Sequence, residues 1–224
     1  MAISRERQHI GYLIGACVGV TAVVLLLSPE LQSARAKGPM NRGHESLTCE
    51  SCHLAAPGTT RQQIQANIAY LLGTRKSPAD FGYEAVGNDD CLACHERPND
   101  RHPVFRFLEP RFADARREVG AHQCMGCHAE HRGTRVTNDG TFCRSCHERF
   151  EMDADPATPS HQELADQGVW QSCLRCHDFH GNHVKGAPGD LDEAAPEGAV
   201  HEYLMGGDSP YGEARRFRAR EARP

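Results

Sequence analysis

The chain has 224 residues, which allows one or two domains, and its 39% hydrophobic and 6% aromatic residues are thin material for a side-chain core of ordinary size. Twenty-five Lys and Arg against thirty Asp and Glu leave a net charge of −5, which argues against nucleic acid as a partner. The departures from ordinary composition are eleven cysteines and fourteen histidines, and all but Cys17 and His9 fall between His44 and His201.

Residues 1–36 read as a membrane-targeting segment. Arg5 and Arg7 precede Ile10 to Leu27, eighteen residues without a charge. As a helix that run spans roughly 27 Å, against a hydrocarbon core of about 30 Å. The length favours an uncleaved single-pass anchor, although Ala34-Arg35-Ala36 has the small-x-small form of a cleavage site. The basic flank puts the N-terminus in the cytoplasm and everything after Leu27 across the bacterial inner membrane, in the periplasm. Cys17 reads as a small apolar residue within the span. Residues 37–48 carry Gly38, Pro39 and Gly43 and read as a short tether.

Beyond the tether one pattern occurs five times: Cys49/Cys52/His53, Cys91/Cys94/His95, Cys124/Cys127/His128, Cys143/Cys146/His147 and Cys173/Cys176/His177. Two thiols three positions apart, followed at once by a histidine, is what covalent attachment of haem c needs. The cysteines bond the two vinyl groups and the histidine becomes the proximal iron ligand. Zinc sites take four ligands and leave one of five pairs over, and neither zinc nor a disulfide framework explains a histidine after every second cysteine. Five haems between Cys49 and His183 leave about 27 residues for each, so porphyrin replaces much of the core and the apo chain is expected to fold poorly. Haem is attached on the periplasmic side in bacteria, in agreement with the topology.

Between the first two motifs, Thr60 caps a predicted helix from Arg61 to Leu72, with Gln63 as its reciprocal partner. Ile64, Ile68, Leu71 and Leu72 share one face of it, read as packing on haem 1. From Asn88 an internal repeat appears. Cys94-His95-Glu96-Arg97 returns at Cys146, an offset of 52, and the CHxxH of His128/His131 returns as His177/His180, an offset of 49. The expected organisation is haem 1 at 44–87 and two dihaem repeats at 88–137 and 138–185, together a domain at 37–185. Short helices are expected at Glu109 to Val119 and at His161 to Val169, the latter capped by Ser160. Residues 186–224 read as a flexible tail, rich at first in Gly, Ala, Pro and acid and then in arginine. The expected fold class is mostly irregular with short α-helices, wrapped around five haems, plus one N-terminal transmembrane helix.

Eight histidines outside the motifs follow the anchor, for five irons, which points to bis-histidine ligation. His131 and His180 lie too near their own motif histidine to cross that haem, yet are placed to reach a neighbouring one. His44, His102 and His161 are the next distal candidates, with His122 and His183 in reserve and His201 in the tail. Met125 and Met152 rank below them as ligands.

These residues resemble the class III multihaem cytochromes c, whose CxxCH motifs are closely spaced and whose irons are bis-histidine; CHAEHRG around His128 and His131 looks like a form frequent there. The architecture is similar to the membrane-anchored tetrahaem quinol dehydrogenases, but has a fifth motif and lacks a methionine shortly after His53. The resemblance implies an electron-transfer protein, not an enzyme, that takes electrons from the quinol pool or a membrane partner and passes them to a periplasmic redox partner. The alternatives are a reductase of a small oxyanion such as nitrite and a haem subunit of a larger respiratory complex.

Overall fold

The computed structural model describes residues 5–27, 36–147 and 149–220. Helix α1, Arg5–Leu27, stands apart with its described side chains exposed, and its segment Arg7–Leu25, of mean hydropathy 1.6, is long and apolar enough to cross a membrane. A signal sequence near an N-terminus has the same properties. Ala34 and Arg35, of the small-x-small site, lie outside the described residues.

The rest is short helices joined by turns: α2 Thr60–Leu71, α3 Asn88–His95, α4 Ala113–Val119, α5 Cys124–Cys127, α6 His161–Asp166, α7 Cys173–Cys176 and α8 Glu197–Met205, with several 3-10 turns. Among the described residues there are only isolated β-bridges and no strand. The buried apolar set is equally sparse: Phe107, Leu174, Val200 and Tyr211 with Ala56, Ala115 and Ala194. No large described side chain is fully buried. The accessible surface is 16,428 Å², whereas a compact monomer of this mass exposes about 10,000 Å². The polypeptide alone does not close a core, as the composition leads one to expect.

Two helix starts show how local chemistry sets boundaries. The cap of α2 is Thr59, one residue before the expected Thr60: the Thr59 N–H donates to Gln62 Oε1 at 2.8 Å, and its hydroxyl accepts from the Gln62 N–H. Adjacent threonines and adjacent glutamines make both registers legible in sequence. Gln63 decides between them, because it is turned inward, where its Nε2 donates to the Ala56 carbonyl at 3.0 Å and its Oε1 accepts from the Gly82 N–H at 3.0 Å. Ile64, Ile68, Leu71 and Leu72 lie on the exposed side. At α6 the expected cap is present: the Ser160 hydroxyl accepts from the Glu163 N–H, and the Ser160 N–H donates back to the Glu163 carboxylate at 2.9 Å. The helix stops at Asp166 and not at Val169, because Gly168 takes a left-handed φ of 72°. The expected helix at Glu109 to Val119 divides into a 3-10 turn, Pro110–Phe112, and α4.

The segment from Gly186 to Arg220, whose composition suggests a flexible tail, makes contacts along much of its length. It folds back and forms α8, whose C-terminal carbonyls are held by Arg135: the guanidinium donates to Tyr203 O at 2.5 Å and Gly207 O at 2.9 Å, while it lies over the Tyr203 ring at 4.3 Å. Arg175 Nε donates to Ala195 O at 2.8 Å, and the Tyr211 hydroxyl donates to Leu174 O at 2.5 Å. Further on, the Arg216 N–H donates to Asn182 O at 2.7 Å and the Arg220 N–H to Cys94 O at 2.9 Å, with the Arg220 guanidinium on Glu96. Order here comes from arginines and carbonyls supplied by distant sequence, which a local count of apolar residues does not register.

Candidate functional site: five histidine pairs

Each CxxCH is one helical turn. The motif histidine N–H donates to the carbonyl of the first cysteine, His53 to Cys49 at 2.8 Å, His128 to Cys124 at 2.9 Å, His147 to Cys143 at 2.9 Å and His177 to Cys173 at 2.8 Å. Cys91 to His95 forms the end of α3. Such a turn brings thiols at i and i+3 to one side and sets the imidazole just past them. In α5 the turn packs so closely that a Cβ on Gly126 would lie 2.5 Å from Gly120 O and 2.8 Å from Val119 O.

Every motif histidine faces one histidine from outside the motifs. Ring centroids are 6.4 Å apart for His53/His131, 5.8 Å for His95/His44, 6.0 Å for His128/His180, 6.2 Å for His147/His102 and 6.0 Å for His177/His161. Two metal–imidazole bonds of about 2 Å, with about 1 Å more from nitrogen to ring centre on each side, place two axial imidazoles roughly 6 Å apart. The interplanar angles run from 21° to 82°, as they can when both planes contain a common axis. The donor sets therefore fit five bis-histidine haems. Beside the last pair, Cys173, Cys176, Phe150 and Trp170 help to line a mostly apolar cleft of about 130 Å³.

The partner histidines are oriented by their other nitrogen. Nδ1 of His44 lies 3.1 Å from Glu130 Oε2, that of His180 2.9 Å from Asp100 Oδ2 and that of His161 2.8 Å from Asp155 Oδ1. His102 Nδ1 donates to Phe179 O at 2.6 Å and His131 Nδ1 to Gly38 O at 3.3 Å, while among the motif histidines His128 donates to Arg135 O at 2.8 Å. A proton fixed on Nδ1 leaves the Nε2 lone pair for a metal. Burial pushes His95 down to about 4 and holds His102, His128, His147 and His177 below the ordinary imidazole range, which keeps them neutral as ligands must be. His44 goes the other way, because its hydrogen bond to Glu130 outweighs burial. Burial opposes ionisation of Glu130 and Asp100, yet the bonds from His44 and His180 keep both carboxyls below the usual range. His131 alone among the described non-glycine residues has a positive φ, 62°, the strained backbone that tends to collect at functional positions.

Two kinds of junction, used alternately, set the pairs in a row. Glu130, which holds His44, immediately precedes His131, so pair 53/131 adjoins pair 95/44. In the same way Phe179, which holds His102, precedes His180, so pair 128/180 adjoins pair 147/102. The second kind is a contact between first cysteines. The thiols of Cys91 and Cys124 adjoin, as do those of Cys143 and Cys173, so that within each pair the ionisation of one opposes that of the other. The resulting order is that of the motifs, one to five.

His122, His183 and His201 face no motif histidine. His122 Nδ1 is buried without a partner. His183 is committed elsewhere, with Nδ1 2.7 Å from Asp178 Oδ2 and Nε2 2.9 Å from Ser209 Oγ, against Tyr203 and Tyr211. His201 is exposed on α8, and Met125 and Met152 are exposed as well. The orienting groups Glu130, Asp100 and Asp155 are absent from a reading by ligand type. A signal for one existed: Asp100 two residues before His102 is an Asx turn, in which the His102 N–H donates to Asp100 Oδ1 at 2.9 Å. Among the described residues no three His, Cys, Asp or Glu side chains converge as a metal cage requires. The chain matches no protein-family model, no curated protein and no solved structure.

Proposed function

We propose that the chain is a membrane-anchored pentahaem c-type cytochrome, of the class III multihaem kind, that carries electrons between a membrane donor, the quinol pool or a protein, and a periplasmic redox partner. The observation that carries this reading is the one-to-one pairing of five motif histidines with five others at 5.8–6.4 Å. Cys49 and Cys52, Cys91 and Cys94, Cys124 and Cys127, Cys143 and Cys146, and Cys173 and Cys176 add their thiols across the vinyl groups. His53, His95, His128, His147 and His177 bind one face of each iron, and His131, His44, His180, His102 and His161 the other. When bound, each haem exchanges one electron between ferric and ferrous iron. The protein's part is to hold both axial nitrogens, to keep the row in order through the two junctions, and to tie it to the membrane through α1.

A reductase needs an iron with an open face, and the pairing supports a carrier because it gives every motif histidine a partner. Haem content separates this reading from any other use of the cysteines. A haemochrome assay against protein concentration is expected to return five haems per chain, and four or fewer in matured protein would remove at least one motif from the set.

A further inference from the structure

The five partner histidines divide by what their Nδ1 meets. For His44, His180 and His161 it is a carboxylate, Glu130, Asp100 or Asp155; for His131 and His102 it is a backbone carbonyl, of Gly38 or Phe179. A carboxylate draws the Nδ1 proton harder than a carbonyl, makes Nε2 the better donor, and places a full negative charge one imidazole from the iron. Both effects favour ferric over ferrous iron, and hydrogen bonding and local charge of this kind are among the levers that set haem potentials.

We propose that Glu130, Asp100 and Asp155 are positioning residues that hold the second, third and fifth haems of the row at lower potential than the first and fourth. The inference rests on the bis-histidine reading above and adds to it an uneven potential profile: high, low, low, high, low. The three carboxylates are not equivalent. Glu130 receives the His44 ring and the Asn41 N–H at 2.7 Å, with no arginine or lysine among the described residues within ion-pairing distance. Asp100 is the most shielded from water but shares its charge with Arg97 at 3.8 Å. Asp155 also accepts from the N–H groups of Ala157 and His161. The largest effect therefore belongs to Glu130. At the first haem the bond to Gly38 O is long, 3.3 Å, which leaves His131 the weakest donor.

The experiment is a potentiometric titration of the full-length holoprotein, fitted as five one-electron steps and followed by the low-spin ferric signals of each haem. Three lower and two higher midpoints are expected. Glu130→Gln keeps an acceptor for His44 but removes the charge, and is expected to raise one low component by about 59 mV, a tenfold shift in its ferric-to-ferrous equilibrium. Asp100→Asn and Asp155→Asn are each expected to raise a different component by less, and Glu130→Asp to return the first towards its original value. Five low-spin haems with midpoints unmoved in all three variants would overturn the inference and leave the carrier reading standing. So would variants that lose a low-spin signal with no shift in any remaining midpoint, because the carboxylates would then be supports only. Fewer than five haems, or an open iron in the untouched protein, would instead defeat the carrier reading beneath it.

Discussion

Four of the five histidine pairs are made between distant parts of the chain, and one is made at home. His53 reaches 78 residues forward to His131, and the pairs 95/44, 128/180 and 147/102 each bridge 45 to 52 residues, whereas His177 meets His161 only 16 residues away. The equivalences explain the difference. His131 and His180 both face the histidine two motifs back, and His44 and His102 both precede an odd-numbered motif yet face the histidine of the even-numbered motif that follows it. His161 also precedes an odd-numbered motif, but it faces the histidine of that same motif, His177. Three residues after His53, the position equivalent to His131 and His180, stands Ala56, buried. The chain is thus a row of histidine pairs, four interlocked over long separations and one, 177/161, made locally.

The contrast can be broken most severely at the ligands. His131→Ala and His180→Ala each open one iron and cut a long tie; His161→Ala opens one iron and cuts a short one. All three should yield a single high-spin, carbon monoxide-binding haem with four low-spin haems left. They should differ in stability, because a tie across 78 residues restrains the unfolded chain more than one across 16, by about 1.4 kcal/mol on the loop-closure relation. Denaturation of the two holoproteins, His131→Ala against His161→Ala, measures that difference. Equal midpoints would mean that the long ties do not hold the row together.

Much of this was legible in advance, and the reason is chemical. Motif spacing specifies a turn that brings two thiols to one side, and a histidine three residues beyond its own motif can face only a neighbouring one. What was not legible was partnership. Nothing in the sequence around His102 points to His147 over His95, because the choice is made by Phe179, 77 residues away, whose carbonyl takes the His102 proton. The offset of Cys94-His95 and Cys146-His147 reads as dihaem blocks at 88–137 and 138–185, and the pairs 128/180 and 147/102 run between those two blocks. The contacts of the C-terminal segment were hidden for a related cause, since Arg135 and Arg175, which hold it, stand outside it.

Smaller effects follow from one position seen in two motifs. The residue before the second cysteine is Gly126 in the third motif, where the Val119–Gly120 backbone leaves no room for a Cβ, and Arg175 in the fifth, where the side chain holds the C-terminal segment. Gly126→Ala is expected to cost about 1–3 kcal/mol through forced backbone displacement and to lower the yield of five-haem protein. Arg175→Ala, which removes its bonds to Ala195 and Leu191 carbonyls, should cost about 1–2 kcal/mol and speed proteolysis after Gly186 while leaving all five haems low-spin. His201→Ala, on the exposed side of α8, should change stability by less than about 0.5 kcal/mol and leave the haem spectrum as it was.

The claim beneath all of these is that each of five irons has a histidine on both faces. The carbon monoxide difference spectrum of the reduced, untouched holoprotein tests it in one step. With His44, His102, His131, His161 and His180 in place, no haem should bind carbon monoxide; binding at even one of the five would mean an iron open by design, and a reductase in place of a carrier.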